Sequence, residues 1–148
     1  MFCFKKNKKA FTLVELIVVI AIIAILGTVV GLSVTQFVAK AKENAVTSSA
    51  SAIQKAWDTF VADGGDKQLY TYFSENVSDI SNVYIKPGKV NGVTYDNVTG
   101  NSAHEASLTL YVYKEGYLAT ITVETGKASL ASVRKNQTVP SGAKKMVS

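Results

Sequence analysis

The chain contains few of the side chains that most often build catalytic or metal-binding sites. Among its 148 residues there is one cysteine, Cys3, and one histidine, His104. One cysteine cannot form a disulfide bond within the chain. His104 lies beside Glu105 in a polar segment, and the chain offers no second histidine and no neighbouring cysteine to share a zinc ion. Zinc binding and histidine catalysis are therefore unfavourable interpretations.

Acidic residues are also scarce, and they are scattered. Their spacing does not match a calcium-binding loop, as the aspartates show: Asp58, Asp63, Asp66, Asp79 and Asp96. The segment Asp63-Gly64-Gly65-Asp66 is compatible with contact to a cation, but a turn is the better interpretation. No glycine-rich phosphate-binding loop is present. We predict a protein that is not an enzyme and that binds no metal or cofactor.

Positive charge is concentrated at the N-terminus. Four lysines, Lys5, Lys6, Lys8 and Lys9, account for most of the net charge of +5. The 12 basic residues that remain nearly balance the 11 acidic ones. The chain therefore lacks the broad basic field of a dedicated nucleic-acid binder, and no specific nucleic-acid partner is predicted.

A long apolar run follows these lysines. It extends from Phe11 to Leu32, contains no proline, and has Glu15 as its only charged residue. Twenty-two residues in a helix span about 33 Å, and a bilayer core is about 30 Å thick. The run thus predicts a membrane-spanning helix, and the preceding lysines keep its N-terminal end in the cytoplasm with the rest of the chain outside.

Glu15 is anomalous, because a charged side chain within a membrane helix is costly and is usually paired. One interpretation is that Glu15, one turn into the helix, extends to the lipid headgroups. The other requires a cation. Cleavage between Ala10 and Phe11 would create an α-amino group four residues before Glu15, and the same amine of a neighbouring copy could pair with the carboxylate and fix the register between subunits.

The apolar run also contains Gly27 and Gly31, which have the Gly-x-x-x-Gly spacing. This spacing allows two membrane helices to approach closely. Added backbone flexibility without a partner explains the two glycines equally well. Gly27 and Gly31 are therefore candidate subunit contacts, with both interpretations open.

The segment from Lys5 to Leu26, with Lys-Lys-Ala-Phe-Thr-Leu-Val-Glu at its centre, resembles the class III signal and helix start of type IV prepilins and pseudopilins. The resemblance implies that a prepilin peptidase cuts between Ala10 and Phe11, that Phe11 is then N-methylated, and that Glu15 guides assembly. Ala10 stands where the family usually has glycine. Many relatives have a proline midway along the helix, where this chain has Gly31 and Leu32, so no proline kink is expected.

An ordinary secretory signal is the rival interpretation of the N-terminus. It would combine the basic region, the apolar run and an A-x-A cleavage site at Ala39-Lys40-Ala41. The apolar region of such a signal is about 7–15 residues long, shorter than this run, and the charge of Glu15 does not fit it. The prepilin interpretation is therefore preferred.

Beyond Leu32 the pattern becomes amphipathic. Apolar residues recur at spacings of three and four up to Phe60 and Val61, which predicts that one helix continues to about Ala62. The segment Asp63-Gly64-Gly65-Asp66 ends it. Trp57 and Phe60 are the predicted core residues of its apolar face.

The remainder predicts an antiparallel sheet of three to four strands. The clearest strands are 107–113 and 117–124, with 83–86, 92–95 and 128–133 as weaker candidates. A short helical turn is predicted at 69–73, an exposed loop at 97–105 and a loosely ordered tail after Arg134. Together these elements predict an α+β fold, a long helix packed on a small sheet, which is also the pilin-like shape that the resemblance implies.

Alternation within the two clearest strands predicts which residues share a face. Three residues of the first strand face the helix with three of the second, namely Leu108, Leu110 and Val112 with Ala119, Ile121 and Val123. Tyr111 and Tyr113 lie on the opposite face, and we predict that they form contacts between subunits.

These features predict three parts: a leader at 1–10, a transmembrane or filament-core helix at 11–34, and an extracytoplasmic globular domain at 35–148. The predicted function is that of a type IV pilin, polymerised into a surface filament for adhesion, motility or aggregation. A pseudopilin of a type II secretion or competence DNA-uptake system is the alternative, and a membrane-anchored binding module is the alternative of another class. The resemblance implies a prepilin peptidase, an assembly ATPase, a platform membrane protein and further copies of the chain as partners, with the cytoplasmic membrane and then the cell surface as locations.

Overall fold

The computed structural model describes residues 11–64, 66–87, 100–103 and 106–146. The chain divides into two compact units, Met1–Ala39 and Lys40–Ser148. Helix α1, Leu13–Asp63, begins in the first unit and ends in the second. It ends one residue after the predicted Ala62, where Gly64 and Gly65 follow, because glycine is a poor helix former.

The first unit exposes the apolar part of α1. Large apolar side chains are exposed along it from Phe11 to Val38. Helix α1 is long and apolar enough to cross a membrane, and none of its apolar 18-residue window is buried. The hydroxyls of Thr28 and Ser33 donate hydrogen bonds to the carbonyls of Ile25 and Val29, at 2.7 and 3.1 Å. These two polar groups are thus satisfied within the helix, as an apolar surrounding requires.

The second unit packs the end of α1 against an antiparallel sheet, which confirms the predicted α+β class. The sheet has five strands in the order β4-β3-β2-β1-β5, so it exceeds the predicted three to four. The elements after α1 are α2 Leu69–Asn76, a 3₁₀ turn Ile80–Asn82, β1 Val83–Pro87, α3 Gly100–Ala103, β2 Leu108–Lys114, β3 Tyr117–Glu124, β4 Lys127–Lys135 and β5 Lys144–Lys145.

The register of β2 and β3 confirms the predicted core face. The paired residues are Leu108 with Val123, Leu110 with Ile121, and Val112 with Ala119, and all six are buried. Two-residue turns with positive φ join β2 to β3 and β3 to β4, at Glu115-Gly116 and Thr125-Gly126. Such turns match the natural twist of paired strands.

Trp57 and Phe60 connect α1 to this core, as predicted. Both are almost completely buried, and their ring centroids lie 5.8 Å apart. The indole N–H of Trp57 donates to the carbonyl of Gly126 at 2.9 Å. The side chain of Gln54, one turn earlier, donates to the carbonyl of Ala128 at 3.2 Å. The helix therefore holds the β3–β4 turn by hydrogen bonds as well as by apolar contact.

The predicted exposed loop at 97–105 is wrong where the structure describes it. Gly100–Ala103 is a short helix, α3, and Ala103 is fully buried. Two small apolar residues, Ala103 and Ala106, join the core from a segment whose polar composition indicated solvent exposure. His104, Glu105 and the candidate strand at 92–95 lie outside the described residues.

The predicted loose tail after Arg134 is also wrong. β4 continues to Lys135, and β5 pairs with β1 through Tyr84–Lys145 and Ile85–Lys144. Met146 is fully buried, and its N–H donates to the carbonyl of Val83 at 3.0 Å. One apolar residue in a polar tail is a weak sequence signal. The open edge of β1 supplies the hydrogen-bond partners that order this segment.

Substitution of Met146 by alanine tests the role of the tail. We expect the free energy of unfolding of the second unit to fall by at least about 2 kcal/mol, because a fully buried methionine side chain is removed. Urea-dependent pulse proteolysis of the full-length chain in detergent would measure this change. Ser141→Ala, at an exposed tail position, is the control. Equal stability of the two variants would contradict the buried position of Met146.

A hydrogen-bonded ion pair fixes the segment between α2 and β1. The carboxylate of Asp79 accepts hydrogen bonds from Lys114 at 2.9 Å and from Asn82 at 2.7 Å. The bond from Lys114 lowers the pKa of Asp79 below its ordinary value of 3.8, and Asp79 raises the pKa of Lys114 above 10.5. The two opposite charges therefore stabilise the fold at pH values between the lowered pKa of Asp79 and the raised pKa of Lys114. This stabilisation is lost as pH falls through the first value or rises through the second.

This pair predicts a pH-dependent difference between the wild type and Asp79→Asn. Because the groups are partly exposed, we expect the variant to be less stable by no more than about 1 kcal/mol at neutral pH. The difference should vanish once Asp79 is protonated in the wild type, well below pH 3.8. Unfolding midpoints at neutral and strongly acidic pH would measure it, and a difference independent of pH would contradict the ion pair.

Candidate functional site

The start of α1 brings together the residues to which the sequence assigns processing and assembly. Phe11 and Thr12 precede the helix, and Phe11 is 87% exposed. Ala10, on the other side of the predicted cleavage bond, lies outside the described residues. Cleavage between Ala10 and Phe11 therefore stays a prediction. Phe11, the residue that would follow the cut, is exposed and lies before the helix.

Thr12 and Glu15 form reciprocal hydrogen bonds at the first turn. The backbone N–H of Glu15 donates to Thr12 Oγ1 at 3.3 Å. In return, Glu15 Oε2 accepts from the Thr12 N–H at 2.9 Å and from the Thr12 hydroxyl at 3.0 Å. This is a capping box, which satisfies backbone donors that a helix start leaves free. The negative charge also lies at the favourable end of the helix dipole.

The capping box gives Glu15 partners within its own chain. Both hydrogen bonds from Thr12 end on Oε2, and Oε1 accepts none from the described residues. The carboxylate is therefore partly compensated, yet one oxygen stays open to a further donor. Thr12 is not among the site residues predicted from the sequence. The Thr-x-x-Glu spacing directly before an apolar run was the signal that could have identified it.

Gly27 and Gly31 pack against none of the residues that the structure describes. A Cβ atom built on either glycine meets nothing within 4 Å. The two residues are four positions apart and so lie on one face of the helix. Within the described part of the chain nothing requires glycine there, and a contact with a second helix stays a prediction.

Tyr111 and Tyr113 belong to the second unit and lie on the outer face of the sheet, opposite to the core, as predicted. Tyr111 is paired with Tyr84 on β1 and with Thr120 on β3. It is only 8% exposed, whereas Tyr113 is half-buried. The expectation that both tyrosines are surface side chains is therefore corrected for Tyr111, which its cross-strand position places in the middle of the sheet.

The described residues contain no group of three or more histidine, cysteine, aspartate or glutamate side chains that could hold a metal ion.

Comparison with known families gives a match at the N-terminus. Residues 5–31 match the model of the prokaryotic N-terminal methylation motif. The chain carries a prepilin signal sequence.

This prepilin signal is the class III type shared by type IV pilins and pseudopilins, and the match covers less than a fifth of the chain. No curated protein and no solved structure matched the chain. The motif supports the type IV pilin or pseudopilin class and does not distinguish between the two. Together with the exposed apolar helix, it fits membrane anchoring before assembly.

Proposed function

We propose that the protein is a type IV pilin, the structural subunit of a surface filament for adhesion, motility or aggregation. The observation that carries the proposal is the prepilin signal, followed by an apolar helix whose side chains are exposed in the isolated chain. An exposed apolar surface of this size requires a partner. Lipid covers it before assembly, and the helices of neighbouring copies cover it in the filament.

Processing follows from the N-terminal sequence. Residues 1–10 form the leader and keep their lysines in the cytoplasm. A prepilin peptidase cuts between Ala10 and Phe11, and Phe11 is N-methylated. Residues 11–34 then form the filament core, while residues 35–148 form the globular domain outside the membrane. An assembly ATPase and a platform membrane protein supply the energy and the site of polymerisation.

Glu15 acts in assembly as the partner of a cation. After cleavage, the amine of Phe11 in one copy lies at the end of an apolar helix and needs a counter-ion when lipid or protein surrounds it. The open oxygen of Glu15 in the adjacent copy accepts its hydrogen bond while Thr12 holds the other oxygen. Pairing two groups that are each costly when buried alone selects one register between the helices.

Mass spectrometry of the mature N-terminus tests this function. Material sheared from the cell surface should contain a peptide that begins at methylated Phe11. The same peptide found only in membranes would favour the pseudopilin alternative. A chain that begins near Lys42 and is free in the medium would show ordinary secretion and contradict the proposal. An unprocessed chain retained in membranes would instead favour a simple anchored binding module.

A further inference from the structure

The strands of the second unit carry more basic than acidic side chains. Three ion pairs occur among the described residues: Lys42–Glu115, Lys67–Glu75 and Lys114–Asp79. The other basic residues of the strands are exposed and form none of these pairs: Lys86, Lys127, Arg134, Lys135, Lys144 and Lys145. Among the strands, only Glu124 adds a further carboxylate. The sheet layer therefore carries a surplus of positive charge.

The end of α1 carries the opposite charge. Asp58, Asp63 and Asp66 are exposed, and none is part of these ion pairs. Two exposed lysines lie nearby: Lys67 interacts electrostatically with Asp63, and Lys55 lies one turn before Asp58. The last turn of α1 contains no basic residue, so the negative end of the helix dipole adds to the three carboxylates. We call these three residues the acidic patch.

The outer face of the sheet combines positive charge with aromatic side chains. Tyr84 and Tyr113 are half-buried and lie beside the buried Tyr111, and Lys145 is paired with Tyr84 on the β5 side. Arg134 on β4 is paired with Leu118, which is paired with Tyr113. Tyrosine and arginine are enriched in protein interfaces, where aromatic residues form the centre and charged residues the rim. We call Tyr84 and Tyr113 with Arg134 and Lys145 the basic aromatic patch.

The two patches lie on opposite layers of the unit. α1 packs on the inner face of the sheet through Trp57 and Phe60, so the basic aromatic patch faces away from α1. Copies that associate through two different patches form a ring if the rotation closes and an open, repeating assembly if it does not, whereas a self-complementary patch closes into a dimer. The placement of the charges therefore suits a filament.

We propose that the basic aromatic patch of one subunit binds the acidic patch of the next copy. This inference rests on the proposed function, and it assigns the contact between the globular domains to particular residues. A second copy is the partner because the complementary charge is present on the same chain, with Asp58, Asp63 and Asp66 opposite Arg134 and Lys145. Charge complementarity of this kind selects the partner and the register.

Cross-linking tests the contact directly, because the chain has no cysteine after Cys3. A strain that expresses Asp63→Cys/Arg134→Cys should give a ladder of subunit multimers when its filaments react with a short thiol-specific cross-linker. A strain with Lys40→Cys/Arg134→Cys is the matched control, since Lys40 is exposed on α1 outside the acidic patch. Absence of the ladder, or an equal ladder in the control, would overturn the assignment.

Charge reversal gives an independent test. Arg134→Glu and Asp63→Arg should each lower the sheared filament yield by at least about fivefold at equal cellular subunit level, and the double variant should recover most of it. Lys40→Glu should keep the wild-type yield. If wild-type cells produce no filaments, the proposed function itself fails. If they do, and the single reversals have no effect or the double variant is not rescued, only this contact is refuted.

Discussion

Glu15→Ala is expected to reduce surface filaments by at least about a hundredfold. Removal of one partner from a buried ion pair costs about 3–5 kcal/mol, and about 1.4 kcal/mol corresponds to a tenfold change in an equilibrium constant. In the proposed filament, the variant leaves the amine of Phe11 in the neighbouring copy without its counter-ion. It also removes both hydrogen bonds that Thr12 donates to the carboxylate. Filament mass in sheared fractions, normalised to total subunit, measures the loss.

Two further variants separate charge from capping. Glu15→Gln keeps an oxygen that can accept from Thr12 but removes the charge, so filaments should be lost nearly as completely as in Glu15→Ala. Thr12→Val removes the capping hydroxyl at a cost of about 1 kcal/mol to the helix start and keeps the charge, so most filaments should remain. All three chains should still be cleaved before Phe11. Normal filaments from Glu15→Gln would show that capping, and not the ion pair, is the role of Glu15.

Trp57→Ala is expected to lower the free energy of unfolding of the second unit by about 3–5 kcal/mol. The indole is completely buried between α1 and the sheet and contacts the ring of Phe60. Its loss leaves a cavity in the core and removes the donor to the Gly126 carbonyl. Since domains of this size are stable by about 5–15 kcal/mol, the change is a large fraction of the total.

Trp57→Phe is the matched variant for this prediction. It keeps an aromatic ring in the core and removes only the hydrogen bond and part of the volume, so the loss should be about 1–3 kcal/mol. Because Trp57 is the single tryptophan, unfolding must be followed without tryptophan fluorescence, for example by urea-dependent pulse proteolysis of the full-length chain in detergent. Wild-type stability in Trp57→Ala would contradict the structure of the core.

The sequence predicts those parts of the fold that have a regular hydrophobic period. The 3.6-residue period places Trp57 and Phe60 in the core, and strict alternation gives the face that Leu110 and Ile121 share. Both arguments depend only on local pattern. They hold because an apolar stripe on a helix and an apolar face on a strand must be buried against each other.

The parts that the sequence did not predict depend on distant partners. β5 is two lysines long, and it forms because β1 offers an unpaired edge and the core has space for Met146. α3 lies in a polar segment and is held through Ala103. Neither contact has a local signature. At the N-terminus, by contrast, the capping role of Thr12 does have a local signature, the Thr-x-x-Glu spacing with Glu15.

The edge strand β4 has a consequence for how copies of this chain can associate. Nine residues of β4 form one border of the sheet, and such a border is a template for amyloid-like strand addition. Here the pairing with β3 shifts register between Thr120 and Ile121, and Lys127, Arg134 and Lys135 stand at the ends of the strand. An irregular, positively charged border repels a second copy of itself. This border therefore disfavours strand addition between copies of the chain.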